Sequence, residues 1–191
     1  MSKGITVASI LVLMTAPLLA VATEPELAAE QMIIETAYNT DLGGSANQQF
    51  AQVFELHEAG SLSHLMLPLH CHPHVQVEVK IEEAPNGIPG GAALMRQIVP
   101  GYVLDGVSAH MRMIEFTRPP RVKPGKYAFT IGIRGAANAS NFCILWQAPA
   151  GITTSGNAYF VATGNPPGWL PLLDSQFQPR VLAFQVYLRP N

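Results

Sequence analysis

The chain has 191 residues, a formal net charge of −2 and charged side chains at only 13%. That length suits one domain with a substantial core, and the unclustered basic residues leave no electrostatic footprint for nucleic acid. Apolar residues at 48%, with 16 glycines and 16 prolines spread along the chain, predict many short strands joined by turns rather than long helices.

The first 22 residues read as a secretory signal peptide. Lys3 precedes an apolar stretch from Ile5 to Val21, and Ala20 and Ala22 occupy the −3 and −1 positions of an A-x-A cleavage site. Thr6, Ser9, Thr15 and Pro17 interrupt the stretch and no basic stop-transfer flank follows, which argues against a membrane anchor. No cysteine follows either, so no lipid anchor is expected. The mature chain is expected to begin near Thr23, to be periplasmic or secreted, and to hold no membrane contact after cleavage. Residues 23–30 read as an acidic, Ala-rich linker, and residues 31–191 as a β-sandwich domain.

Strand-like runs then repeat in order: "QMIIETAY", "QQFAQVFEL", "LSHLMLPL", "VQVEVKI", "AALMRQIV", "HMRMIEFT", "KYAFTIGI", "NFCILWQ", "NAYFVAT" and "VLAFQVYL". In the fourth, Val75, Val77, Val79 and Ile81 alternate with Gln76, Glu78 and Lys80, the period-two pattern of a strand with one buried face. Turn-forming stretches such as "EAPNGIPGG", "RPPRVKPG" and "GNPPGW" separate the runs. This spacing predicts a single antiparallel, jelly-roll-like β-sandwich. "GWLPLLDSQFQP" reads as an ordered loop before the last strand. Export puts Cys71 and Cys143 in an oxidising compartment, so a disulfide is expected; two buried free thiols are the alternative.

The order of the pieces carries a resemblance. "QQFAQVFELHEAGSLSHLMLPLH", "VQVEVKIEEAPNGIPGGAAL", "FTRPPRVKPGKYAFTIGI", "CILWQAPAG…GNAYF" and the closing "LAFQVYL" together resemble the secreted bacterial jelly-roll modules found beside extracellular enzymes and adhesins. The resemblance spans about residues 31–189. It implies a non-catalytic, carbohydrate-binding-like domain. Many such modules carry an acidic residue just before the last L-A-F strand, where this chain has Arg180 and Val181.

"LHCHPHVQVEVKI" concentrates the chemistry. His70, His72 and His74 are two apart and would share a face in a strand. His72, His74 and Glu78 spell H-x-H-x-x-x-E, which resembles the first metal motif of the cupins, with His110 as a candidate further ligand. Pro73 argues for a connection between two strands instead, because proline ends ladder pairing. The alternation to Ile81 puts Glu78 on the polar face, and "KPGKYAF" and "PPGWLPL" lack the histidine of a second cupin motif. The expectation is therefore a solvent-facing His70–His74 connection with Cys71 turned inward. It would bind zinc or nickel weakly and hold no resident cofactor. No G-x-S-x-G elbow or phosphate loop is present.

Aromatic side chains supply the remaining handle. Trp169 in "GNPPGWLP" and Tyr102 in "PGYVLDG" are the candidate sugar platforms, while Trp146 and Tyr159 read as core. A loop tryptophan also commonly pins its loop to the domain body. Asn138 in "NAS" matches a glycosylation sequon. Three functional classes follow. The first is a non-catalytic extracellular module that binds carbohydrate or a cell-envelope polymer. The second is a metal-dependent cupin-like enzyme using His72, His74 and Glu78. The third is a structural subunit of a surface assembly.

Overall fold

The computed structural model describes residues 23–106 and 108–191; the segment read as a signal peptide lies outside them. Among the described residues thirteen strands run in chain order: β1 (Glu26–Gln31), β2 (Asn39–Gly43), β3 (Gln49–Leu56), β4 (Gly60–Cys71), β5 (Gln76–Glu83), β6 (Ala93–Pro100), β7 (Met111–Glu115), β8 (Arg121–Val122), β9 (Gly125–Ile133), β10 (Phe142–Trp146), β11 (Ala158–Val161), β12 (Leu170–Pro171) and β13 (Phe184–Pro190). A 3-10 turn, Gly101–Leu104, joins β6 to the loop before β7. The strands form two antiparallel sheets. A six-stranded sheet has the order β12-β11-β3-β9-β5-β6, and a seven-stranded sheet has the order β1-β13-β4-β10-β2, with β7 and β8 also paired to β4. The chain crosses between sheets at β2–β3, β3–β4, β4–β5, β6–β7, β8–β9, β9–β10, β10–β11 and β12–β13, which makes the expected jelly-roll-like sandwich.

The period-two pattern explains why these runs are strands. In β5, Val77, Val79 and Ile81 are fully buried while Glu78 and Lys80 alternate outward. Burying each such side chain contributes roughly 1.5–3 kcal/mol. Phe54 and Phe129 of the six-stranded sheet meet Phe184 of the seven-stranded sheet between the layers, with centroids 5.6–6.4 Å apart. One polar side chain belongs to this interior. Gln52 is fully buried, donates to Gly156 O and accepts from Leu182 N, so its amide is satisfied on both sides.

Two sequence expectations change. Part of the stretch read as linker is the first strand: Glu26 to Gln31 pair with β13 from Leu188 to Phe184. "ELAAEQ" has low strand propensity, so backbone pairing to β13 carries it rather than side-chain pattern. The apolar run that follows is not a strand, and Met32 and Ile33 are 45% and 55% exposed. The second change concerns β4, which continues through His70 and Cys71 despite Pro68, a residue that pairs with Met111 of β7. His70 is therefore a strand residue, paired with Ile144, and not part of the connection.

Candidate functional site

The opening motif divides between the two layers. Only His72 to Val75 form the turn from β4 to β5, closed by Val75 N donating to His72 O. His72 and His74 are exposed, as Pro73 predicts. Cys71 turns inward, fully buried, and forms a disulfide with Cys143, its direct cross-strand partner in β10. The bridge closes a separation of 72 residues and fixes the base of the turn.

The imidazoles are engaged separately. His70 Nδ1 accepts from Gly106 N at 3.1 Å and lies 3.7 Å from Asp105 Oδ1. Gly106 N also donates to Asp105 Oδ1 at 2.7 Å, so His70, Asp105 and Gly106 form one local cluster. His74 Nε2 lies 3.3 Å from Ser140 O, and His72 stacks on His74 with an edge contact to Phe142. Glu78 is on the other sheet, paired opposite Gly132 of β9, with its carboxylate held by Arg96 and Lys80. The structure thus does not gather His72, His74 and Glu78 into one ligand set, and His110 is an exposed residue before β7. Among the described residues no three His, Cys, Asp or Glu side chains stand close enough to hold one metal ion.

What the structure does gather lies on the outward face of the six-stranded sheet. Adjacent strands place Tyr159, Ala51, Thr130, Lys80 and Arg96 in one cross-strand row. A neighbouring row runs from Val161 through Gln49, Gly132 and Glu78 to Ile98. Along β9 the outward positions beyond the exposed Lys126 are Ala128, Thr130 and Gly132, all small, so this part of the sheet forms a floor between taller walls. At Gly132 a Cβ would lie 2.9 Å from Gln49 Cγ, so the side chain of Gln49 occupies the space that glycine leaves. The open end is a polar trough of about 240 Å³ lined by Asn47, Gln49, Glu78, Lys80, Arg96 and Thr130, with Arg134 beyond them.

Electrostatics tie the wall of the trough together. Lys80 Nζ is 3.1 Å from Glu78 Oε2, and Arg96 Nε donates to Glu78 Oε1 at 2.7 Å. Burial pushes the Glu78 carboxyl upward, but the hydrogen bonds and positive charges of Arg96 and Lys80 outweigh it and hold the group below its ordinary value. Glu78 is ionised at neutral pH and fixes both cations on the trough rim. The Arg96 side chain remains 64% exposed.

The two aromatic candidates are not brought together. Trp169, half-buried just before β12, packs against the outward patch of Ala51, Val53, Ala84, Ala128 and Tyr159. It pins its loop to the sheet and leaves part of the ring accessible. Tyr102 is 67% exposed on the 3-10 turn after β6. Since β12 and β6 are opposite edges of the sheet, five strand spacings, or about 24 Å, separate them laterally. Trp146 and Tyr159 are buried; Tyr159 is covered on the outward side of the six-stranded sheet, where Trp169 packs and the Tyr159 hydroxyl donates to Gly87 O. Arg180, just before the last strand, is itself buried. Its guanidinium lies 3.9 Å from the Tyr38 ring centroid and donates to Glu35 and Ala148 O, a packing role. Sequence reasoning missed Gln49, Lys80, Arg96, Thr130, Gly132 and Arg134.

No family model matches the chain, and no curated protein matches it. Among solved structures it is similar to "Structure of infectious bursal disease virus Gt strain", at 10% identity and a TM-score of 0.21, over 95% of this chain and 43% of that one. A TM-score that low carries no argument about fold or function. The chain thus spans less than half of the length of that structure's chain. Among the described residues no helix is long and apolar enough to cross a membrane.

Proposed function

We propose that the chain is an exported, non-catalytic module that binds carbohydrate or a cell-envelope polymer across the outward face of its six-stranded sheet. The observation that carries this reading is the continuity of that face. A partly exposed tryptophan over a small-residue patch adjoins a trough of amide, hydroxyl and charged groups. Sugars present apolar ring faces and directional hydroxyls, and this surface offers complements to both. Export is supported by the N-terminal sequence pattern and by the buried Cys71–Cys143 bridge, which suits an oxidising compartment. The test is a glycan array probed with residues 23–191, with Trp169→Ala as control. Retention of a glycan by the wild type and at least a severalfold loss in the variant are expected. Retention of none would overturn the reading.

A specific feature favours a second reading, a subunit of a surface assembly. Val103 and Met113 are 56% and 57% exposed and line an apolar groove between β6 and β7. β6 is the last strand of its sheet, and unpaired strand edges invite pairing with another chain. Sedimentation of the mature chain distinguishes the readings. A monomer across micromolar concentrations supports the binding module, and a Met113→Asp-sensitive oligomer supports the assembly.

A further inference from the structure

The trough has a charge that the chain as a whole lacks. Lys80, Arg96 and Arg134 line it against the single carboxylate of Glu78, a local excess of two positive charges (three minus one) on a molecule of net charge −2. Those cations come from β5, β6 and the residue just after β9, so the fold assembles the excess and no short stretch of sequence contains it. Glu78 positions Arg96 and Lys80 rather than cancelling them, since it can neutralise only one of the pair. The same trough presents neutral hydrogen-bonding groups, Asn47, Gln49 and Thr130, that suit hydroxyls and not ions.

We infer that the trough holds an acidic saccharide, with a uronic-acid carboxylate seated between Arg96 and Arg134 and ring hydroxyls met by Asn47, Gln49 and Thr130. This rests on the reading of the outward face as a glycan-binding surface and specifies its ligand class. A planar carboxylate matches the fork of a guanidinium in two parallel hydrogen bonds. Arg96 already turns Nε and Nη2 to Glu78, so it would meet the ligand with its remaining Nη1 donors while Arg134 offers the fork. A neutral glycan would leave the charge excess without a counterpart. A polyol phosphate would leave the amide and hydroxyl groups without ring hydroxyls to meet.

The test measures binding of residues 23–191 to polygalacturonate, to the same polymer with its carboxyls reduced, and to poly(glycerol phosphate). Polygalacturonate alone should bind. Its affinity should weaken as salt rises, because exposed charges are screened over about 8–10 Å at physiological ionic strength. Arg96→Gln with Arg134→Gln should weaken binding about tenfold or more, the loss expected for two charge-assisted hydrogen bonds at a partly exposed site. Unchanged thermal unfolding of that variant would show that the fold is intact; the carboxyl-reduced polymer tests the same point without any variant. Equal binding of the reduced polymer would overturn the acidic assignment while leaving the glycan-binding reading in place. Preference for poly(glycerol phosphate) would overturn it in favour of a phosphate polymer. Failure of every glycan, here and on the array, would remove both.

Discussion

The turn at His72–Val75 and the trough on the six-stranded sheet invite opposite expectations. The stretch from His70 to His74 concentrates ligand-type residues within a few positions, yet His70, Cys71 and His74 are engaged in local structure and His72 only stacks on neighbouring rings. His70 accepts from Gly106, His74 faces Ser140 O, and Cys71 is bonded to Cys143. The trough has no motif, yet strand pairing sets Gln49, Thr130, Glu78, Lys80 and Arg96 side by side. Convergence in space, and not density in sequence, separates a surface that can grip a ligand from a turn that only holds itself.

The largest effect belongs to the turn's anchor. In the chain-entropy treatment, closing a 72-residue separation stabilises by about 4 kcal/mol. Replacing Cys71 and Cys143 by Ala is therefore expected to lower the Tm by about 8–16 °C, read by calorimetry. Glycan binding well below the melting point should survive. Loss of binding at a temperature where the variant is folded would break the separation between the two regions.

A smaller cost and the opposite functional result are expected at the floor of the trough. Gly132→Val would push into Gln49 and fill the space above β9, costing about 1–3 kcal/mol as overpacking. Binding should be lost while the fold persists by circular dichroism.

Glu78 sharpens the comparison through pH. Its folded-state carboxyl titrates below the ordinary value of 4.5. Its contribution is therefore fully present above that value and is lost as pH falls through the lowered folded value. Urea unfolding at a series of acid pH values should show this loss in the wild type. Glu78→Gln should remove that part of the decline.

The smallest effect is expected in the turn itself. His72→Ala with His74→Ala removes two exposed rings and should change stability by no more than about 0.5 kcal/mol. Weak zinc or nickel uptake by the wild type, lost on acidification as the imidazoles protonate, should disappear with them. A large Tm loss, or stoichiometric metal in the purified wild type by elemental analysis, would restore the turn as the site.

The sequence was legible where one face of a strand is buried. The valines of "VQVEVKI" and the alternation in "KYAFTIGI" mark β5 and β9 because burial writes itself in period two. It was illegible at β1, whose Ala and Glu residues carry no such signal and which is held by backbone bonds to β13. It also misled at His70, because Pro73 marks the end of pairing only within a residue or two, and β4 runs on to Cys71. The trough was half written. Glu78 and Lys80 stood out as the polar face of "VQVEVKI", while the small outward residues of β9 passed unread. Their partners Gln49, Arg96 and Arg134 become neighbours only once the strand order is known.

The most direct test titrates one glycan, the one retained by the wild type, into Gly132→Val and into His72→Ala/His74→Ala by isothermal calorimetry. Binding abolished in the first and unchanged in the second is the result expected if the outward face of the six-stranded sheet is the site. Binding retained in Gly132→Val and lost in the double histidine variant would contradict it.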